Sequence, residues 1–479
     1  MNTMNTSVIL PTSATSSDNA IIKLFRYYFP ESLPSEVTVA TSKYLPGLLE
    51  KKARLFPEKG VALFEKILYS EAIENHHALS LMAGLTDYLA NIIDSHAYTE
   101  TGLSNDLPSA LPDDLISIPV TAFDPASVRL CSSILKQLDI HADLWENSDC
   151  VARFLNSCCH LMIEKHDMEI LIFALIRLSE EKENGQESGE NAENSDVAVS
   201  GLMVMASRIA SAKRSESMQP IIKFDPFLKS MLFSLLFRYA GHGDPAARIA
   251  ILRYLPSLGT HIPQKSWELF QIVRKKPFDD LWSYATPFLI NQCNDRFDDV
   301  KEILWEMKQE RAYDALFAWG NLSAFALISG MITEKRLAED LDKLKNRDAF
   351  AGVLDSFRLY LPSFLPSNRQ LQAIGNKPQN FFPSARTFVR IFYHSPYQFD
   401  ITWFYKWLEQ VCRKKPFMAY QICEDIMSMI EVSASIFFIL EDVKNVIAIL
   451  SEAAARNSPS LASAVSKMES KIESKINGS

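Results

Sequence analysis

Glycine is scarce in this chain, at 15 of 479 residues. None of those glycines opens a G-x-x-x-x-G-K-[ST] run, so the loop that cradles nucleotide phosphates is missing from the sequence. No uninterrupted apolar run approaches the length that crosses a bilayer. The first 20 residues carry neither lysine nor arginine and only a three-residue apolar run (VIL), so the expectation there is a disordered tail over 1–18 and not a signal peptide. The cysteines lack a framework: Cys131, Cys150, Cys158, Cys159, Cys293, Cys412 and Cys423 are odd in number and irregular in spacing. Such a set points to reduced thiols in a cytoplasmic protein.

Charge of one sign is also short. The formal net charge is −9, but residues 180–196 hold seven acids and one lysine, so −6 of it lies there and only −3 elsewhere. That balance argues against a protein built to coat nucleic acid. The same segment is too poor in apolar groups to offset its ordering entropy, and is expected to be a disordered insert.

What is abundant is helical spacing. Phe297, Val300, Ile303, Leu304 and Met307 form one stripe; Leu461, Val465, Met468, Ile472 and Ile476 form another. Stretches of this kind follow one another, separated by short breaks containing Pro, Asp or Asn. The expected fold is all-α, an elongated α-solenoid of stacked antiparallel helix pairs of HEAT or TPR type. An N-terminal helical region at 19–103 and a Pro-rich linker at 104–125 come first. Helical repeats at 126–361, a loop at 362–383 and C-terminal repeats at 384–479 complete the expected order.

Two helices open alike. In Asp124-PASVRLCSSILKQL and Asp244-PAARIAILRYLPSL, Asp can cap the free amides, Pro suits the first helical position, and Arg129 or Arg248 can bond to a neighbouring repeat. A five-letter string is also written twice, RKKPF at 274–278 and at 413–417. Each copy follows a helical pattern, so its cations complement the helix dipole and its proline stops the helix. The alternative is a pair of basic patches, Arg274, Lys275, Lys276 and Arg413, Lys414, Lys415, able to meet phosphate or an acidic peptide.

The stretch from Asp244, Pro245 and Arg248 through Leu255-Pro256 to Trp267-Glu268-Leu269 resembles the HEAT-like arrays of bacterial STAND NTPases. The likeness continues in Arg296-FDDVKEILWEM and Phe388-VRIFYHSPYQF and covers roughly the second half of the chain. In that family the array follows a nucleotide-driven motor and serves as its sensor; in antiviral members it detects a foreign protein. The resemblance implies a Leu-Pro turn at Leu255-Pro256 and a sensing role. It does not imply ATP binding, since the phosphate loop is missing. A detached sensor or the remnant of a longer gene is then expected.

Catalytic patterns are not found. Cys158-Cys159-His160, with His166 nearby, places its donors on different helix faces, so buried thiols are the simpler reading than a metal site. His76, His77, His141, His242, His261 and His394 have no nucleophile pattern beside them. The expectation is a chain without catalytic residues or cofactors. Its best candidate surface is the aromatic stretch 381–407. Phe388 and Phe392, like Trp403 and Trp407, share a helix face and suit a core. The density of rings still exceeds what one face can bury. Arg390, Tyr393, Tyr397, Trp403, Lys406 and Trp407 are therefore candidates for binding a protein partner. Nucleic acid, held by these rings and the two basic patches, is the rival partner; no membrane is expected.

Overall fold

The computed structural model describes residues 16–30, 45–101, 125–141, 144, 148–161, 165–180, 190–211, 226–361, 381–432 and 440–477. Among the described residues there are 21 helices and no strand. The fold class expected from the sequence is therefore all-α in fact. Most of the expected tail, linker, insert and 362–383 loop lies outside the described residues. Where they overlap, helix extends further than composition predicted. One helix begins at Glu190, within the acidic insert, and another at Phe381, within the proline-rich loop.

The chain divides into two compact units, Met1–Phe278 and Asp279–Ser479. The first contains α1 (Ser16–Tyr28), α2 (Leu45–Leu55), α3 (Pro57–Leu68), α4 (His76–Thr101), α5 (Pro125–Ile140), α6 (Ser148–His160), α7 (Lys165–Glu180), α8 (Glu190–Ser211), α9 (Pro226–His242), α10 (Pro245–His261) and α11 (Pro263–Arg274). The second contains α12 (Leu281–Cys293), α13 (Phe297–Glu310), α14 (Tyr313–Ile328), α15 (Glu334–Leu344), α16 (Arg347–Tyr360), α17 (Phe381–His394), α18 (Thr402–Lys414), α19 (Pro416–Val432), α20 (Leu440–Asn457) and α21 (Pro459–Asn477).

The helix starts follow from local chemistry. Asp244 stands in extended backbone and its carboxylate accepts the Ala247 amide at 2.8 Å, with Pro245 next in the first helical position. Asn346 accepts the amides of Asp348 and Ala349 at 2.8 and 3.0 Å to open α16. Leu255-Pro256 is not the turn that the family resemblance implied. Pro256 is buried inside α10, which runs on through it to His261. Leu255 and Leu258 beside it are fully buried as well. Burying such a leucine contributes about 1.5–3 kcal/mol, comparable with the cost of about 3 kcal/mol for an internal proline.

Many of the strongest packings join a helix to the next but one. In the first unit α2, α4, α6, α8 and α10 pack in succession, as do α1, α3, α5 and α7. In the second unit α12, α14 and α16 do so, and α17, α19 and α21 repeat the pattern. Two of these pairs approach backbone to backbone. A Cβ on Gly84 of α4 would collide with the Glu50 carbonyl of α2. On α14 and α16 the approach is reciprocal: a Cβ on Gly320 would meet the Ala349 carbonyl, and one on Gly352 the Phe317 carbonyl. Ser356 adds a hydrogen bond across the same pair, donating to the Asn321 carbonyl at 2.9 Å.

The repeated RKKPF is a helix stop in both copies, and it stops them differently. After Arg274 the α11 helix gives way to a connector that reaches α12 only at Leu281. Buried Arg248 of α10 donates to the Lys276 carbonyl in that connector and stands 4.9 Å from the Phe278 ring centre. At the second copy, Lys415 alone separates α18 from α19, its amide bonded to the Val411 carbonyl at 2.7 Å. Pro416 is then the first residue of the next helix.

Candidate functional site

The aromatic stretch folds as α17 and α18, and packing uses most of it. Phe388 lies 4.5 Å from Phe404 and 5.3 Å from Trp403, centre to centre, and Phe404 lies 5.4 Å from Trp407. Trp407 is 3% exposed, a core residue. Tyr393 and Tyr405 share a hydrogen bond of 3.0 Å between their hydroxyls, and burial pushes both phenols well above the ordinary tyrosine range. Trp403 is half-buried and Lys406 exposed.

The cations of α17 are matched by acids. Arg386 donates two bonds to Asp425 of α19, at 2.5 and 2.7 Å, and that carboxylate raises the guanidinium's pKa. Arg390 reaches Glu334 of α15 at 2.9 Å and Asp425 at 3.6 Å. Thr387 donates to the same Glu334 at 2.8 Å. Tyr397 donates to the Lys345 carbonyl at 2.6 Å and stacks edge-on with Phe350 at 5.6 Å. Arg390 and Tyr397 thus both fasten the α17 region to the α15–α16 hairpin. A cleft of about 390 Å³ remains there, lined by Glu334, Leu341, Asp342, Phe350, Arg390 and Ile391. Two of its charged residues, Glu334 and Arg390, are paired with each other.

The two basic patches lie in different units. Arg274 is half-buried and donates to Gln271 at 2.8 Å, whereas Lys275 and Lys276 are exposed. Arg413, Lys414 and Lys415 are all exposed.

Exposed aromatic residues occur elsewhere. In the second unit Trp305 is 64%, Tyr313 65% and Phe417 58% exposed. Trp305 lies on α13, off the stripe of Val300, Ile303, Leu304 and Met307 that faces the core. Tyr313 opens α14, the helix that packs against α13, and stacks on Phe317 at 6.2 Å. These were legible in principle, since a tryptophan on the polar face of an amphipathic helix is out of place.

The Cys158-Cys159-His160 group is buried in the first unit. Burial raises the Cys158 thiol, pushes Cys159 up to about 12 and holds His160 down to about 4. Arg208 of α8 donates to the carbonyls of Cys159 and Leu161 and closes the end of α6. Among the described residues no three His, Cys, Asp or Glu side chains are placed to hold a metal ion. None of the described helices is long and apolar enough to cross a membrane. No protein-family model, curated protein or solved structure matches the chain.

Proposed function

We propose that each unit is a short α-solenoid and that the chain is a protein-recognition module, a sensor or scaffold without a reaction of its own. The next-but-one packing of helices in both units supports this reading, because a row of stacked helices presents a long surface and no enclosed centre. The likeness of Asp244, Pro245, Arg248 and Trp267 to the STAND sensor arrays supports the sensing role and a cytoplasmic setting. Trp305 and Tyr313 are the anchors we assign to the partner. Large aromatic side chains held in water by a rigid helix pair are the usual centres of protein interfaces.

The test is photocrosslinking in cells, with p-benzoylphenylalanine placed at position 305, at position 313, or at the buried position 319. One and the same protein adduct from 305 and 313, and none from 319, is the expected result. An adduct that forms only during infection would add the sensing role. Adducts that nuclease removes would transfer the chain to the nucleic-acid reading. No adduct in either infected or uninfected cells would overturn the recognition role of this surface.

A further inference from the structure

We propose that the cleft where α3, α4 and α5 meet binds a small amphiphilic carboxylate, its head group on Arg129 and Ser127 and its apolar body along Phe56 and Leu130. This site lies in the first unit and is independent of the surface assigned to Trp305 and Tyr313.

The cleft measures about 490 Å³, and small-molecule sites commonly span about 300–1,000 Å³. Its walls come from three places. The α2–α3 corner supplies Leu55, Phe56 and Lys59; α4 supplies Tyr88; the first turns of α5 supply Ser127, Arg129 and Leu130. Leu55 and Phe56 remain 55% and 40% exposed, although the corner that carries them is anchored by buried Ala53, Gly60 and Leu63. An apolar edge is thus held open to water on a fixed support, a costly arrangement unless something covers it.

Ser127 supplies the second observation. It is only 1% exposed, yet its Oγ has no hydrogen-bond partner. It stands at the third residue of α5. A buried hydroxyl left in this state is destabilising until an acceptor arrives. A ligand oxygen entering the cleft would provide one.

Charge selects the class of ligand. Lys59 and Arg129 line the cleft against the single acid Glu58. Lys59 stands over the Phe56 ring, 5.4 Å from its centre. Arg129 is exposed and carries no ion pair among the described residues. A guanidinium that no described acid pairs, beside carbon-rich walls, suits a monoanion with an apolar body. A dianionic phosphate would find too few donors and too much carbon.

The experiment is isothermal titration of the full chain with decanoate, kept below its micelle-forming concentration, and with decyltrimethylammonium as the matched cation. Decanoate is expected to bind saturably at one site and the cation not to bind. Arg129→Gln, a change at an exposed position, should weaken decanoate about tenfold, as the loss of a charge-assisted hydrogen bond does. Ser127→Ala should weaken it less, by about threefold. Circular dichroism would verify that both variants keep their helix content. The proposal is overturned by equal binding of anion and cation, by an Arg129→Gln affinity equal to that of the parent, or by no saturable heat. It is also overturned if a synthetic peptide of residues 102–124 binds the cleft and decanoate does not.

Discussion

Each unit has a cleft with an arginine on its wall, and the two arginines are in opposite states. In the second unit Arg390 is shared between Glu334 and Asp425, and the adjacent Arg386 clasps Asp425 with two bonds. In the first unit Arg129 carries no such acid among the described residues, and Ser127 in the same cleft has an unused hydroxyl. The same residue type thus serves as a fastener in one place and as an open donor in the other. Sequence shows the cation; only the fold shows whether an acid reaches it.

The contrast breaks first from below. Gly352 lies two residues from Phe350, which lines the second unit's cleft, and its helix touches α14 backbone to backbone. Gly352→Ala should cost about 3 kcal/mol or more, because a methyl group there drives a helix off a backbone carbonyl, not off a side chain that can swing away. Thermal unfolding measures the loss, and decanoate binding by the first unit should survive below the new midpoint.

Acid should act on the first unit in a way it does not need charge pairs to do. His160 is held down to about 4 by burial, with the nearby Arg208 charge acting in the same direction. Between pH 6.5 and 4 the unfolded chain therefore holds a proton that the folded chain refuses. Stability present above pH 6.5 is lost as pH falls and is fully lost near pH 4, a difference on the order of 3 kcal/mol for a site this buried. Hydrogen exchange in α6 and α8 should accelerate across that window. His160→Gln should flatten the dependence.

The smallest effect sharpens the comparison. Arg390→Gln should change stability by no more than about 1 kcal/mol, since Arg390 and Glu334 are each roughly one-third exposed and water screens the pair. Urea denaturation would read it. A loss several times larger would mean that the second unit's ionic cluster holds the α15–α17 region together more firmly than its exposure allows.

Much of the fold was legible. Apolar spacing located the α13 and α21 stripes, and Asp244 with Pro245 marked a helix start that the structure keeps. The end of α11 and the end of α18 were legible in RKKPF, though not the unequal lengths of the connectors after them. Composition misled where partners lie far away in sequence. Asp196 reads as part of a solvated acidic run, yet it belongs to α8 and faces Arg253 at 3.5 Å. Leu255-Pro256 reads as a turn because proline lacks an amide, but burial of its neighbours outweighs that loss. At the candidate sites, residue type was legible and state was not. Arg390 and Tyr397 looked available and are hydrogen-bonded within the chain, whereas Trp305 and Ser127 drew no attention from spacing alone.

The next-but-one packing has a consequence for synthesis. Each helix finds its principal neighbours among segments already translated or about to leave the ribosome, so no early helix must wait for a distant one. The growing chain can settle turn upon turn as it emerges, hiding each apolar stripe within tens of residues of its appearance.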